Sequence, residues 1–325
     1  RLAAEQRIHG VISLGGGGGT AIASAAMRAL PIGFPKVLVS TLASGYTAHY
    51  VGTSDLVMMP AVVDVQGLNR VSRTILARAA GAICGMVETV VPNGGDRPVV
   101  VASMFGNTTR CIEAAIPLLE IAGYEVLVFH ATGIGGRSLE ALVASGLVSG
   151  VLDVTTTELA DELIGGVLSA GPDRLEAAAR LGVPAVVAPG CLDMVNFGSR
   201  DSVPERFSDR RLYVHNPQVT LMRTNPAECE ALGSLLAMKV NASRGPVSVL
   251  IPRRGISVIS TSGGPFHDAE ADAALFSAIE RGLRPGIPCL SLDCAINDEA
   301  FARACVDALL SNMMPARGRV APGDS

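Results

Sequence analysis

Residues 11–20 read Val-Ile-Ser-Leu-Gly-Gly-Gly-Gly-Gly-Thr, an apolar strand pattern that runs into five consecutive glycines and then into a helical pattern over 21–30. Glycine runs carry a large backbone entropy penalty, so a plain turn rarely uses five. Phosphate recognition does use them: backbone N–H groups must approach closely, with no Cβ in the way and a helix N-terminus behind them. Gly15, Gly16, Gly17, Gly18, Gly19 and Thr20 are therefore the first candidates for holding a nucleotide or another phosphorylated ligand. A flexible strand-to-helix loop without a ligand is the plainer alternative.

The neighbouring motifs narrow the ligand class. Gly16-x-Gly18-x-x-Ala21 fits the dinucleotide fingerprint, but the next apolar strand ends Val39-Ser40-Thr41 without the acid that would hold ribose hydroxyls, which weighs against NAD. The Walker pattern G-x-x-x-x-G-K-[ST] is absent. Ser40, Thr41, Ser44 and Gly45 follow the second strand and are expected to face the same crevice as the glycines. Thr53 and Asp55 come next, with Asp55 a candidate to meet a phosphate-bound Mg²⁺ or, equally, an N-cap.

The second half repeats the design. Gly106, Asn107, Thr108 and Thr109 follow a Val-rich strand and open a helix, with Asn107 or Thr108 suited to the N-cap. His130, Thr132, Gly133, Gly135 and Gly136 follow the next strand. The two loops are expected side by side, with two helix N-termini converging on an anion or substrate. Residues 190–193 (Gly-Cys-Leu-Asp) belong to the same expected crevice. His130, Cys191, Asp193 and His215 have no recognised metal-ligand spacing, so metal ligands and catalytic groups stay unassigned. Two functions fit: a nucleotide-binding protein, or a small-molecule ligase, lyase or kinase-like enzyme with its substrate in the second crevice.

These loops need strands and helices to position them. Apolar strand runs fall at 9–14, 36–40, 98–104, 125–129, 150–154, 185–188, 247–251 and 288–292, with helical patterns between many of them. The segment 110–122 places Ile112, Ala115, Ile116 and Leu119 on one helical face, and Thr155-x-x-Glu158 has the form of a capping box. Alternation of β and α predicts α/β architecture with parallel sheets and right-handed crossovers, and the second half offers enough strands for a complete doubly wound sheet. The break Pro92-Asn93-Gly94-Gly95-Asp96-Arg97-Pro98 divides a nucleotide-binding domain, 1–95, from a second domain, 96–312, with a polar, disordered tail over 313–325. Only two clear strands precede the break, so the first domain reads as truncated, and burial of 57–63 and the helix 71–87 in a homodimer or higher oligomer is expected.

Composition excludes several classes. Of 325 residues, 49% are hydrophobic and 17% charged, the balance of a compact α/β core; the net charge of −4 without a Lys/Arg cluster argues against nucleic acid. Seven cysteines lack a C-x-x-C pair or zinc spacing, and no apolar run has transmembrane length, so no membrane partner and a cytoplasmic location are expected.

Taken together, Gly-Gly-Gly-Gly-Gly-Thr (15–20), Pro-Lys-Val-Leu-Val-Ser-Thr-Leu-Ala-Ser-Gly (35–45), Tyr-Val-Gly-Thr-Ser-Asp (50–55), Gly-Leu-Asn-Arg (67–70), Met-Phe-Gly-Asn-Thr-Thr (104–109), Phe-His-Ala-Thr-Gly-Ile-Gly-Gly (129–136) and Pro-Gly-Cys-Leu-Asp-Met-Val-Asn-Phe (189–197) resemble one family. It is the family of the inhibitor domain of the plant tobamovirus-resistance protein, with uncharacterised bacterial members. The resemblance implies α/β architecture of two Rossmann-like doubly wound parallel-sheet domains, ATP held with Mg²⁺ chiefly by the N-terminal domain, homo-oligomers, and a TIM-barrel domain as fused or separate partner. Family members also carry a strand with a Gly-Thr-x-Asp-Thr-Lys segment that this sequence lacks.

Overall fold

The computed structural model describes residues 1–92 and 97–314; positions 93–96 of the expected linker and 315–325 of the expected tail lie outside the described residues. The chain divides into two compact units, one ending at Asp96 and the other starting at Arg97.

The first unit runs β1 (Val11–Gly15), α1 (Gly17–Arg28), β2 (Lys36–Ser40), α2 (Ala48–Val51), β3 (Val57–Pro60) and α3 (Arg70–Glu88). The three strands form a parallel sheet in the order β1-β2-β3. The central strand β2 is buried on both faces: Val37 and Val39 pack with Ala79 and its neighbours on α3, and Leu38 packs with Met27 of α1. Such two-sided burial requires the continuous apolar run Val37-Leu38-Val39. β3 was not expected as a strand, because four residues ending at a proline give no usable periodicity. The α3 N-terminus is fixed by a reciprocal cap between Asn69 and Ser72.

The second unit contains β4 (Val99–Met104), α4 (Thr109–Ile121), β5 (Glu125–His130), α5 (Ile134–Ala144), β6 (Val148–Thr155), α6 (Glu158–Ile164), α7 (Ala177–Leu181) and β7 (Ala185–Gly190). After β8 (Met194–Phe197), β9 (Leu212–Asn216) and β10 (Val219–Arg223), it continues through α8 (Pro226–Asn241), β11 (Val247–Pro252), α9 (Ala269–Gly282), β12 (Cys289–Leu292) and α10 (Glu299–Met313). Six parallel strands lie in the order β12-β11-β7-β6-β4-β5. Alternate residues feed two separate cores. Val101, Val151, Val187 and Val249 meet α5, α8 and α9, whereas Val100, Leu152, Val186 and Leu250 meet α4 and α10. This is the doubly wound, Rossmann-like α/β arrangement expected.

Three departures matter. β8, β10 and β9 form an antiparallel sheet that the expectation of purely parallel sheets omitted. The expected capping box at Thr155 does not form: Glu158 is the first residue of α6, and neither its carboxylate nor the Thr155 hydroxyl caps that helix. Finally, α10 continues through Met313, the first residue of the expected tail.

Candidate functional site

The glycine loop sits where the carboxyl end of β1 turns into α1. Gly15 is required by packing, since a Cβ there would overlap the Gly19–Thr20 backbone. Gly17 and Gly18 are different: a Cβ on either meets nothing within 4 Å. No side chain caps α1, and Gly17, Gly18 and Gly19 are exposed. The first intrahelical bond at this end is from Thr20 N to the Gly16 carbonyl, 2.8 Å. Three first-turn N–H groups thus face solvent, with the positive end of the helix dipole behind them. Uncapped first turns of this kind are the geometry in which helix N-termini generally meet anions.

The surrounding hydroxyls divide into two groups. Thr20 Oγ1 and Ser40 Oγ lie 2.6 Å apart, both buried, and Ser40 Oγ also accepts from Leu42 N at 3.0 Å. They lock the ends of β1 and β2 together instead of facing a ligand. Thr41, Ser44 and Gly45 are exposed on the same loop, and a Cβ on Gly16 would stand 3.8 Å from Thr41 Oγ1.

Asp55 is a correction. Its carboxylate pairs with the buried ammonium of Lys36 and accepts from Gly33 N at 2.6 Å. Lys36 opens β2 while Ser40 closes it, so Asp55 and the adjacent Thr53 belong to the amino edge of the sheet, roughly 13 Å from the glycine loop along a five-residue strand. Burial works to raise the Asp55 pKa, but the Lys36 and Gly33 hydrogen bonds and the Lys36 charge outweigh it, and the carboxyl lies below its ordinary value. The acid at the correct edge is Asp64, exposed on the loop that follows β3; its carboxylate accepts from Val65 N at 2.7 Å. Val62, with φ +62°, turns that loop. Recognising β3 in the sequence would have pointed to Asp64.

The second expected crevice is also corrected. The loops after β4 and β5 do lie on neighbouring strands, but the anion at α5 is the protein's own. Glu158 Oε1 accepts from Gly133 N at 2.7 Å and from Gly136 N at 3.0 Å. Glu158 Oε2 accepts from Arg174 Nε at 2.7 Å, and Arg174 also bonds both oxygens of Asp153 at 2.5 and 2.7 Å. A Cβ on Gly136 would overlap the Glu158 carboxylate, and one on Gly135 the His130 carbonyl. Gly133 holds φ +82°. Close packing and backbone conformation therefore explain all three glycines.

At the chain reversal between β4 and β6, where open α/β sheets usually bind ligands, hydroxyls close the gap. Thr108 Oγ1 lies 2.8 Å from Thr155 Oγ1, and Ser103 Oγ accepts from Thr155 N at 2.9 Å. Thr108 occupies the α4 N-cap position without a side-chain cap, while Asn107 is directed at Met194 Sδ, 3.7 Å away. Gly106, His130 and Thr132 remain exposed and Thr109 half-buried. Cys191 and Asp193 are wholly buried. Burial, then the Asp193 charge, pushes the Cys191 thiol well above its usual range; burial, opposed by Arg223 and Ser257, lifts Asp193 to about 6. Among the described residues no group of three acidic, histidine or cysteine side chains is gathered as a metal site, and no helix is long and apolar enough to cross a membrane.

Fold and site together define an α/β protein of two Rossmann-like units, the first with a strand–glycine loop–helix turn whose first-turn N–H groups no side chain caps. The chain belongs to the uncharacterised protein family UPF0261: residues 1–92 match its N-terminal domain and 97–313 its C-terminal domain. It is 51% identical over 316 residues to a UPF0261 protein of Clostridium tetani, covering 97% of this chain and 78% of that one. A Rhizobium meliloti UPF0261 protein, RA0729, is 52% identical over 94% of this chain and 77% of its own length. The ToMV resistance protein Tm-1(GCR237) of Solanum lycopersicum is 44% identical over 94% of this chain, which spans 42% of that protein.

Proposed function

We propose that the first unit binds ATP with Mg²⁺ at residues 15–20. The observation that carries this reading is the uncapped, exposed first turn of α1, with open space at Gly17 and Gly18. Backbone N–H groups of Gly17, Gly18 and Gly19 would take phosphate oxygens, and Thr41 and Ser44 would add hydroxyl contacts. Mg²⁺ needs only one or two protein carboxylates when phosphates supply its other ligands, so the lack of an acidic cluster among the described residues is compatible with it. Asp64 is the carboxylate at this edge and would hold the ion. Bound Mg²⁺ would neutralise phosphate charge; the chain's own part is to grip and orient the phosphates. Calorimetric titration of ATP into the chain, with and without MgCl₂, tests this: one saturable site is expected, tighter with Mg²⁺, and no heat at millimolar ATP overturns the reading.

The same unit leaves Val57, Val62, Val71, Met86 and Val87 more than a third exposed, within the segments 57–63 and 71–87. We place a homodimer contact on this apolar surface; a monomer mass by light scattering at micromolar chain overturns it.

A further inference from the structure

The carboxyl end of β11 leads into a loop, 253–268, that encloses an open cavity of about 570 Å³ in front of α9. That volume lies within the range of small-molecule sites. Arg253, Arg254, Ser260, His267, Asp272 and Phe276 line it. None of these residues belongs to the crevice expected from the glycine and threonine loops.

The loop is built to hold its shape. Ser257 and Ser260 cap each other, with Ser260 N donating to Ser257 Oγ at 3.0 Å and Ser257 N to Ser260 Oγ at 3.0 Å. Phe266 is fully buried, its carbonyl accepting from Arg223 Nε at 2.8 Å. Arg253 N and Arg254 N donate to the Leu292 and Cys294 carbonyls, pinning the start of the loop to the end of β12. Gly255 and Gly263 adopt φ +141° and +81°, conformations that other residues rarely take.

Its lining presents donors to an anion. Asp272 is already engaged from behind by Arg223 Nη2 at 2.6 Å. Arg254 faces Asp293 in a bidentate pair at 2.7 and 2.6 Å, and Arg253 pairs with Glu280. Both pairs are solvent-exposed, so each contributes little and yields readily to a better-placed oxyanion. Arg211 donates to the His267 carbonyl at 3.0 Å and forms no ion pair among the described residues. His267 Nδ1 lies 3.4 Å from the Ser260 carbonyl, leaving Nε2 available. Phe276 supplies an apolar wall, with the Arg253 guanidinium 5.2 Å from its ring centre.

We propose that this cavity is a binding site for a small organic anion, its carboxylate or phosphate gripped by Arg253, Arg254 and His267 and its apolar body against Phe276. Guanidinium forks match both oxyanions. The site is independent of the nucleotide reading.

The test is calorimetric titration of the full chain in 0.15 M NaCl with two separate probes, inorganic phosphate and malate. At least one should saturate a site that is retained when the glycine loop is blocked by Gly17→Val, and which one does identifies the headgroup. Arg253→Gln/Arg254→Gln should weaken that binding at least tenfold, and His267→Gln severalfold, while Gly17→Val leaves it unchanged. His267→Gln keeps the test decisive should the double variant fold poorly, since the ring is exposed. Failure of both probes to saturate, or equal affinity in wild type and His267→Gln, overturns the proposal.

Discussion

Two glycine loops in this molecule share one local design, a strand ending in glycines that lead into a helix, and they have opposite fates. At residues 133–136 the helix N–H groups are met by the buried Glu158 carboxylate, itself held by Arg174. At residues 15–20 the corresponding groups meet no side chain, and added Cβ atoms at 17 and 18 meet open space. Glycine content alone does not separate a ligand loop from a packing loop. The partner of the first-turn N–H groups does, and in the second unit that partner comes from 22 and 25 residues further along the chain.

Removing the internal anion should have the largest effect. Glu158→Ala leaves Arg174 buried beside a diminished set of carboxylates and strips two N–H groups of their acceptor. Breaking a buried pair in this way costs roughly 3–5 kcal/mol, to be read from denaturant unfolding of the second unit. Wild-type stability in Glu158→Ala would contradict the internal-anion account. Gly136→Ala probes the same contact more gently: overpacking against the carboxylate should destabilise by about 1–3 kcal/mol. Gly17→Ala, where nothing is met, should stay within about 0.5 kcal/mol of wild type.

The two acids of the first unit sharpen the contrast further. Asp55→Asn should lower stability by about 1–3 kcal/mol, because the Lys36 side chain is fully buried and loses its charged partner, yet leave ATP affinity unchanged. Asp64→Asn should do the reverse, preserving stability and removing the gain in affinity that Mg²⁺ provides. Equal loss of Mg²⁺ dependence in both variants would refute the assignment of edges.

The sheet was legible because strands buried on both faces write themselves as unbroken apolar runs, such as Val37-Leu38-Val39 and Val247–Ile251. β3 and the β8–β9–β10 sheet were not, being short and half-exposed or joined by pairing that local periodicity does not encode. Thr20 and Ser40 were correctly read as neighbours, but whether their hydroxyls face a ligand or each other depends on a 2.6 Å contact across 20 residues. Asp55 misled for a similar reason. Its sequence position fits a ligand loop, and only the unforeseen β3 shows that it precedes a strand instead of following one.

A separate expectation concerns pH. Burial, opposed by hydrogen bonds from Asn196, raises Asp161 to about 7, and Asp193 stands at about 6. Both exceed the unfolded value of 3.8, so between about 4 and 7 these two groups hold more protons in the folded chain than in the unfolded one. Their contribution to stability therefore declines as pH rises through this window. Asp193→Asn should flatten its lower part, near pH 6, and an unchanged slope in urea unfolding would contradict the assignment.

The central claim is that residues 15–20 take an external anion where residues 133–136 take an internal one. Titration calorimetry of ATP with Mg²⁺ into wild type and Gly17→Val tests it most directly. The expected result is saturable binding in wild type and at least tenfold weaker binding in the variant, with the unfolding transition unchanged. Equal affinity in the two proteins would contradict it.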